Sequence, residues 1–168
     1  MKLACLFSTS NSIGPAILRL GLAAALFPHG AQKMLGWFGG HGFGGTMGFF
    51  TGTLHIPAFF AFLAMLTEFG APIALFFGVF TRLAGLAIAV HITVAAILGG
   101  HIYNGFFMNW YGNQKGEGFE YHILMATIGL ALVVLGAGCC ALDRLIARAL
   151  GGSASVAAPL SRGGDVDL

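Results

Sequence analysis

Glu68 is the one charged residue in an apolar run of 25 residues at 56–80, IPAFFAFLAMLTEFGAPIALFFGVF. A helix rises about 1.5 Å per residue, so the run is long enough to cross a bilayer core about 30 Å thick. A carboxylate near the centre of such a span costs roughly 2.5–3.5 kcal/mol on insertion scales, and it therefore faces the bundle interior and a partner. Two partners are expected from depth. His91 lies about 12 Å above the inner end of a span at 83–102, and Arg19 about 9 Å above that of a span at 13–35, with a side chain long enough to make up the difference. Arg19, Glu68 and His91 are thus a candidate buried polar set. It would serve either to fix helix register or to take part in proton or quinone chemistry.

A second group gathers at the opposite, outer level: His29, Gln32, Lys33, His101, Asn104, Glu117, Glu120, Tyr121 and His122. Histidine titrates near neutral pH, so such a cluster could pass protons or hold a polar headgroup. No HxH or HExxH spacing supports a metal, and none is expected. The readings left open are a pocket for a quinone headgroup or small solute and an inert hydrated interface. Cys139 and Cys140 read as small apolar residues near the inner end of the fourth span, with modification or redox activity undecided.

The elements that position these residues follow from composition. The 168 residues are 57% hydrophobic and 8% charged, with a mean hydropathy of +0.86. Soluble domains carry about 25% charged residues, so an integral membrane protein is implied. A net charge of +2 without a basic cluster argues against nucleic acid. The three cysteines form no CxxC and no disulfide framework. Arg19 interrupts the first apolar run, so that run is expected to remain a span rather than act as a cleaved signal.

The expected architecture is all-α, an integral membrane four-helix bundle with spans near 13–35, 56–80, 83–102 and 119–142. A short polar lead at 1–12 precedes it, and a disordered cytoplasmic tail at 149–168 follows. Pro28 is expected to kink the first span. The Gly- and aromatic-rich stretch at 36–55 reads as an outer loop with an interfacial helix or re-entrant cap. Thr81 and Arg82 read as a tight turn between spans two and three. Lys2, Arg19, Arg82, Arg144, Arg148 and Arg162 fall toward one side and Lys33 and Lys115 toward the other, which puts both termini in the cytoplasm.

The motifs RLGLAAALFPHGAQKMLGWFGG at 19–40, Glu68 before FGAPIALFFGVFTRLAG, NGFF at 104–107, GFEYHILMATIGLAL at 118–132 and Leu142–Asp143 resemble the DoxX family of small four-helix inner-membrane proteins. The resemblance covers about 13–148. It implies a bacterial inner-membrane location and a link to quinone-dependent oxidoreductase complexes, with other membrane or redox subunits as partners beside the lipid bilayer. No flavin, haem or iron–sulfur motif is present, so no intrinsic cofactor is expected, and electron transfer would need a partner subunit or a bound quinone. The resulting expectation is a subunit or accessory protein of a redox system, not catalytic alone. Its rivals are a small-solute or proton-coupled transport component and a structural membrane anchor.

Overall fold

The computed structural model describes residues 3–150, so the tail expected at 149–168 lies almost wholly outside the described residues. Among these all the regular secondary structure is helical, with no strand. The helices are α1 (Ile13–Leu35), α2 (Gly42–Gly48), α3 (Ala58–Phe77), α4 (Thr81–Leu98), α5 (Glu120–Leu135) and α6 (Leu142–Ala149). α1, α3 and α4 are long and apolar enough to cross a membrane, and α5 is a shorter apolar helix.

Residue size sorts between inside and outside as a bilayer solvent demands. Ala16, Ala23, Ala31, Ala61, Ala71, Ala84, Ala89 and Ala96 are buried, whereas Phe59, Phe60, Phe62, Phe76 and Phe77 are exposed. Lipid tails are as apolar as leucine, so large side chains lose nothing by facing outward, and small ones let the helix backbones approach. Gly30 of α1 is the extreme case. A Cβ there would lie 2.2 Å from the Glu68 carbonyl oxygen of α3, so only glycine admits this crossing.

α1 starts at Ile13 behind Ser12, whose hydroxyl accepts from the Gly14 N–H, and carries Pro15 in its first turn. It runs through Pro28 as one helix and ends at Gly36 in the left-handed conformation (φ 74°). The turn between α3 and α4 is made by 78–80, with Gly78 at φ 64°, and Thr81 and Arg82 open α4 instead of forming the turn. The glycine- and aromatic-rich stretch folds into α2 and a π-helical turn at Phe49–Thr53.

α5 stops at Leu135, short of the expected end at 142. Gly136 (φ 75°) and Gly138 (φ 76°) take backbone angles that other residues rarely adopt. Small residues such as Gly129, Gly136 and Gly138 in an apolar run are expected to permit close helix packing. Gly129 does pack, against the backbone of Gly85 in α4, but the other two end the helix and turn the chain toward α6.

One end of the bundle is closed by charge on backbone. Arg19 is 2% exposed and does not reach Glu68. Its Nη1 donates to the Leu75 and Phe76 carbonyls (both 2.7 Å), its Nε to Ala137 (3.0 Å), and its Nη2 to Cys139 (3.2 Å) and Cys140 (2.7 Å). It therefore caps the C-terminus of α3 and ties the irregular segment after α5 to it. The depth count fails for a simple reason: Gly30 is the residue of α1 level with Glu68, and Arg19 lies eleven residues earlier, about 16 Å away along the axis. Arg82 treats α5 in the same way, donating to the carbonyls of Val133 and Val134 and to Ser8. Asp143, 1% exposed, accepts from the Phe80 and Thr81 N–H groups (2.7 and 2.9 Å) and so caps the N-terminus of α4.

Candidate functional site

Glu68 sits on the bundle-facing side of α3, one turn before Pro72, and its carboxylate is held by two helices. His91 of α4 places Nε2 2.9 Å from Oε1. Lys33, one turn beyond Gly30 on α1, forms an ion pair with the other oxygen. The Lys33 side chain is 26% exposed and that of Glu68 9%, so the ammonium meets water more readily than the carboxylate does. The close crossing at Gly30 brings the two helices near enough for this pair to form. The carboxylate partner sought by depth is thus Lys33, from the group the sequence assigned to the outer level.

The ion pair forms the inner wall of a cavity of about 510 Å³. Leu26, Phe49, Phe50, Phe60, Ile92 and Leu98 supply much of its apolar surface, and His29, Lys33, Glu68, His91, Glu117, Tyr121, His101 and His122 its polar groups. What the sequence presents as two groups at two depths is one space, because the C-terminal part of α1, which carries His29 and Lys33, packs against Glu68 in the middle of α3. Phe60 of α3 and Val94 and Leu98 of α4 line the cavity and are 59%, 45% and 53% exposed, so they form an apolar part of its rim.

His101 and His122 stack with ring centroids 4.4 Å apart, and His101 Nδ1 lies 3.0 Å from the Glu117 carbonyl. The His122 Nδ1 is buried and has no hydrogen-bond partner among the described residues. His29 and Tyr121 face each other at 6.5 Å. Three of the expected residues do not line the space. Gln32 donates to the Phe38 carbonyl (3.3 Å), Asn104 to that of Glu117 (3.1 Å), and Glu120 accepts from the Met108 N–H (2.9 Å). Asn104 and Glu120 thereby hold the loop that brings Glu117 and Met108 to the cavity, whereas Gln32 holds the turn after α1. Among the described residues no group of three or more His, Cys, Asp or Glu could hold a metal ion.

Phe49 and Phe50 were legible only as loop aromatics, although a π-helical turn is a recurrent functional-site device. Asp143 carried one usable signal, an acid placed directly before a basic amphipathic segment. Its partners, 62 and 63 residues away in the chain, carried none.

The DoxX family model matches residues 14–101. A Bacillus subtilis (strain 168) protein named "Putative oxidoreductase CatD" is 31% identical over 123 residues, which cover 73% of this chain and 81% of that protein. No solved structure is significantly similar. With the family model spanning more than half of the chain, this multi-pass membrane protein belongs to the DoxX family.

Proposed function

We propose that the chain is a quinone-associating membrane subunit of a bacterial oxidoreductase, placed in the inner membrane with α1, α3, α4 and α5 as four crossings and both termini cytoplasmic. The observation that carries this reading is a cavity with a polar inner wall and an exposed apolar rim of Phe60, Val94 and Leu98. Such a cavity suits a ligand with a polar head and a hydrocarbon tail. The relative named as an oxidoreductase supports the redox link.

The residues present fit a quinone headgroup. Lys33 has two ammonium protons left after pairing with Glu68, and His122 Nδ1 is a buried polar atom in want of a partner. Both can donate to a carbonyl oxygen, given the Nδ1–H tautomer of His122. The isoprenoid tail would leave past Phe60, Val94 and Leu98. A bound quinone supplies a two-electron, two-proton couple, and the electrons would come from a partner subunit. The protein's own part is to hold the head and to keep exchangeable protons beside it on His91 and Tyr121, with Glu68 fixing the His91 ring.

A through-path for solute is disfavoured by packing. Leu22, Leu75, Ile88 and Leu132, each at most 1% exposed, fill the bundle between the cavity and the Arg19 layer. The space is a blind pocket, which suits binding better than transport.

A ubiquinone or menaquinone analogue titrated into the purified protein should bind with micromolar affinity, about −8 kcal/mol. Lys33→Ala should weaken it by about 1.5–3 kcal/mol, the scale of a hydrogen bond to a charged group, while Lys115→Ala leaves it unchanged. If neither analogue binds, or if Lys33→Ala binds like the parent, the quinone reading is lost.

The orientation is tested separately. Arg19, Arg82, Arg144 and Arg148 belong to the end of the bundle that also holds the start of α1, so reporter fusions at either terminus and at Arg82 should report the cytoplasm. A fusion near Lys115 should report the outside. A periplasmic C-terminus would overturn the arrangement.

A further inference from the structure

We propose a second binding site, at the opposite end of the bundle from the cavity, for the phosphodiester head of an anionic phospholipid. A groove of about 490 Å³ runs between the end of α3 and α6, lined by Phe76, Phe77, Leu142, Arg144, Leu145 and Arg148, among others. It is independent of the quinone cavity in residues and position.

α6 is built as an interfacial helix. Asp143 and Ala147 face inward and are buried, whereas Leu142 (43% exposed) and Leu145 (58%) lie beside Phe76 (60%) and Phe77 (54%) on an apolar outer face. Arg144 and Arg148 are four residues apart, hence neighbours one turn apart on the same helix. A basic amphipathic helix of this kind lies in the headgroup plane with its apolar face in the acyl region.

The cations at this end differ in what already occupies them. Arg19 and Arg82 are used on helix-end carbonyls, and Asp143, the acid of α6, is used on the Phe80 and Thr81 N–H groups. Arg144 makes one side-chain contact, to Asn11, and its Nε is buried with no partner. Arg148 has no hydrogen-bond or ion-pair partner among the described residues. The groove therefore presents two guanidinium groups with unused donors beside an apolar channel. A phosphate bearing two non-bridging oxygens satisfies both guanidiniums, and the acyl chains attached to it fit along Phe76, Phe77, Leu142 and Leu145. Zwitterionic lipids carry the same phosphate with a compensating ammonium, so net negative headgroups are favoured.

The test is retention of lipid by the full chain in mild detergent, read by native mass spectrometry after adding phosphatidylglycerol or phosphatidylcholine in equal amounts. The parent should keep phosphatidylglycerol at least about tenfold better than phosphatidylcholine. Arg148→Gln, at an exposed position without a partner among the described residues, should lower phosphatidylglycerol retention about tenfold with no change in melting temperature in detergent alone. Arg144→Gln should act in the same direction, and Lys115→Gln, at the other end, should not. Equal retention of the two lipids, or phosphatidylglycerol retention unchanged in Arg148→Gln, would overturn the proposal. So would displacement of the lipid by millimolar inorganic phosphate, since the apolar channel would then contribute nothing.

Discussion

Arg19→Met is expected to destabilise the protein by about 3–5 kcal/mol, because one side chain satisfies five backbone carbonyls in two separate segments. The substitution keeps the apolar stem and removes the guanidinium. Carbonyls at the end of α3 and in the segment after α5, now covered by the buried Arg19, would then lose their donors inside the packed end of the bundle. The loss should spread beyond α1, since Arg19 is what holds 137–140 against 75–76. Arg19→Lys should recover less than half of it: an ammonium offers three donors from one point, and the fork that reaches carbonyls in two directions is gone. Denaturant titration in detergent, followed by far-UV circular dichroism, measures both variants. A loss below about 1 kcal/mol for Arg19→Met would show that the capping geometry contributes little.

The second large effect is at the cavity. Glu68→Gln should cost about 3 kcal/mol, toward the lower end for a broken buried pair, because the partly exposed Lys33 can turn toward water when its counter-charge goes. Lys33→Ala should cost as much or more, since it leaves the less exposed carboxylate with His91 alone. The double change should be milder than the sum by at least about 1 kcal/mol. The same cycle run with Arg19 and Glu68 should be additive within about 0.5 kcal/mol, as expected of residues with no shared partner. Coupling between Arg19 and Glu68, or none between Lys33 and Glu68, would contradict the contacts described above. His91→Gln separates packing from charge, because an amide can still donate to the Glu68 carboxylate.

Membrane class, three long apolar helices and the polar residues that meet in the cavity were legible in the sequence. These depend on local quantities, namely the length of apolar runs, the scarcity of charge and the cost of a carboxylate among hydrocarbon. α1 has the expected bounds at 13–35, and α3 falls within 56–80. Glu68 and His91 were paired by depth and are hydrogen-bonded. That success rests on a short, tight connection, since α3 and α4 are joined by three residues and little error accumulates in counting across them.

Where the two descriptions part, the cause is nonlocal. Counting residues from a helix end gives depth only if both helices end at the same level, and α1 crosses the middle of α3 five residues from its own C-terminal end, with Arg19 already level with the end of α3. That offset moved Glu68 from Arg19 to Lys33 and merged two polar groups into one cavity. The glycines of 129–138 share a composition but not a role: packing against Gly85 is a matter of which helix lies opposite, and breaking α5 is a matter of backbone angle. Arg19, Arg82 and Asp143 look like membrane-boundary charges in sequence, and only the assembled bundle supplies the helix ends that they cap. The sequence by itself determined that the chain must be helical and lie in a bilayer, because hydropathy and backbone hydrogen bonding leave no other choice. Which charge meets which partner was decided by the tertiary structure alone, because that depends on helix offsets of a few ångströms that no local pattern encodes.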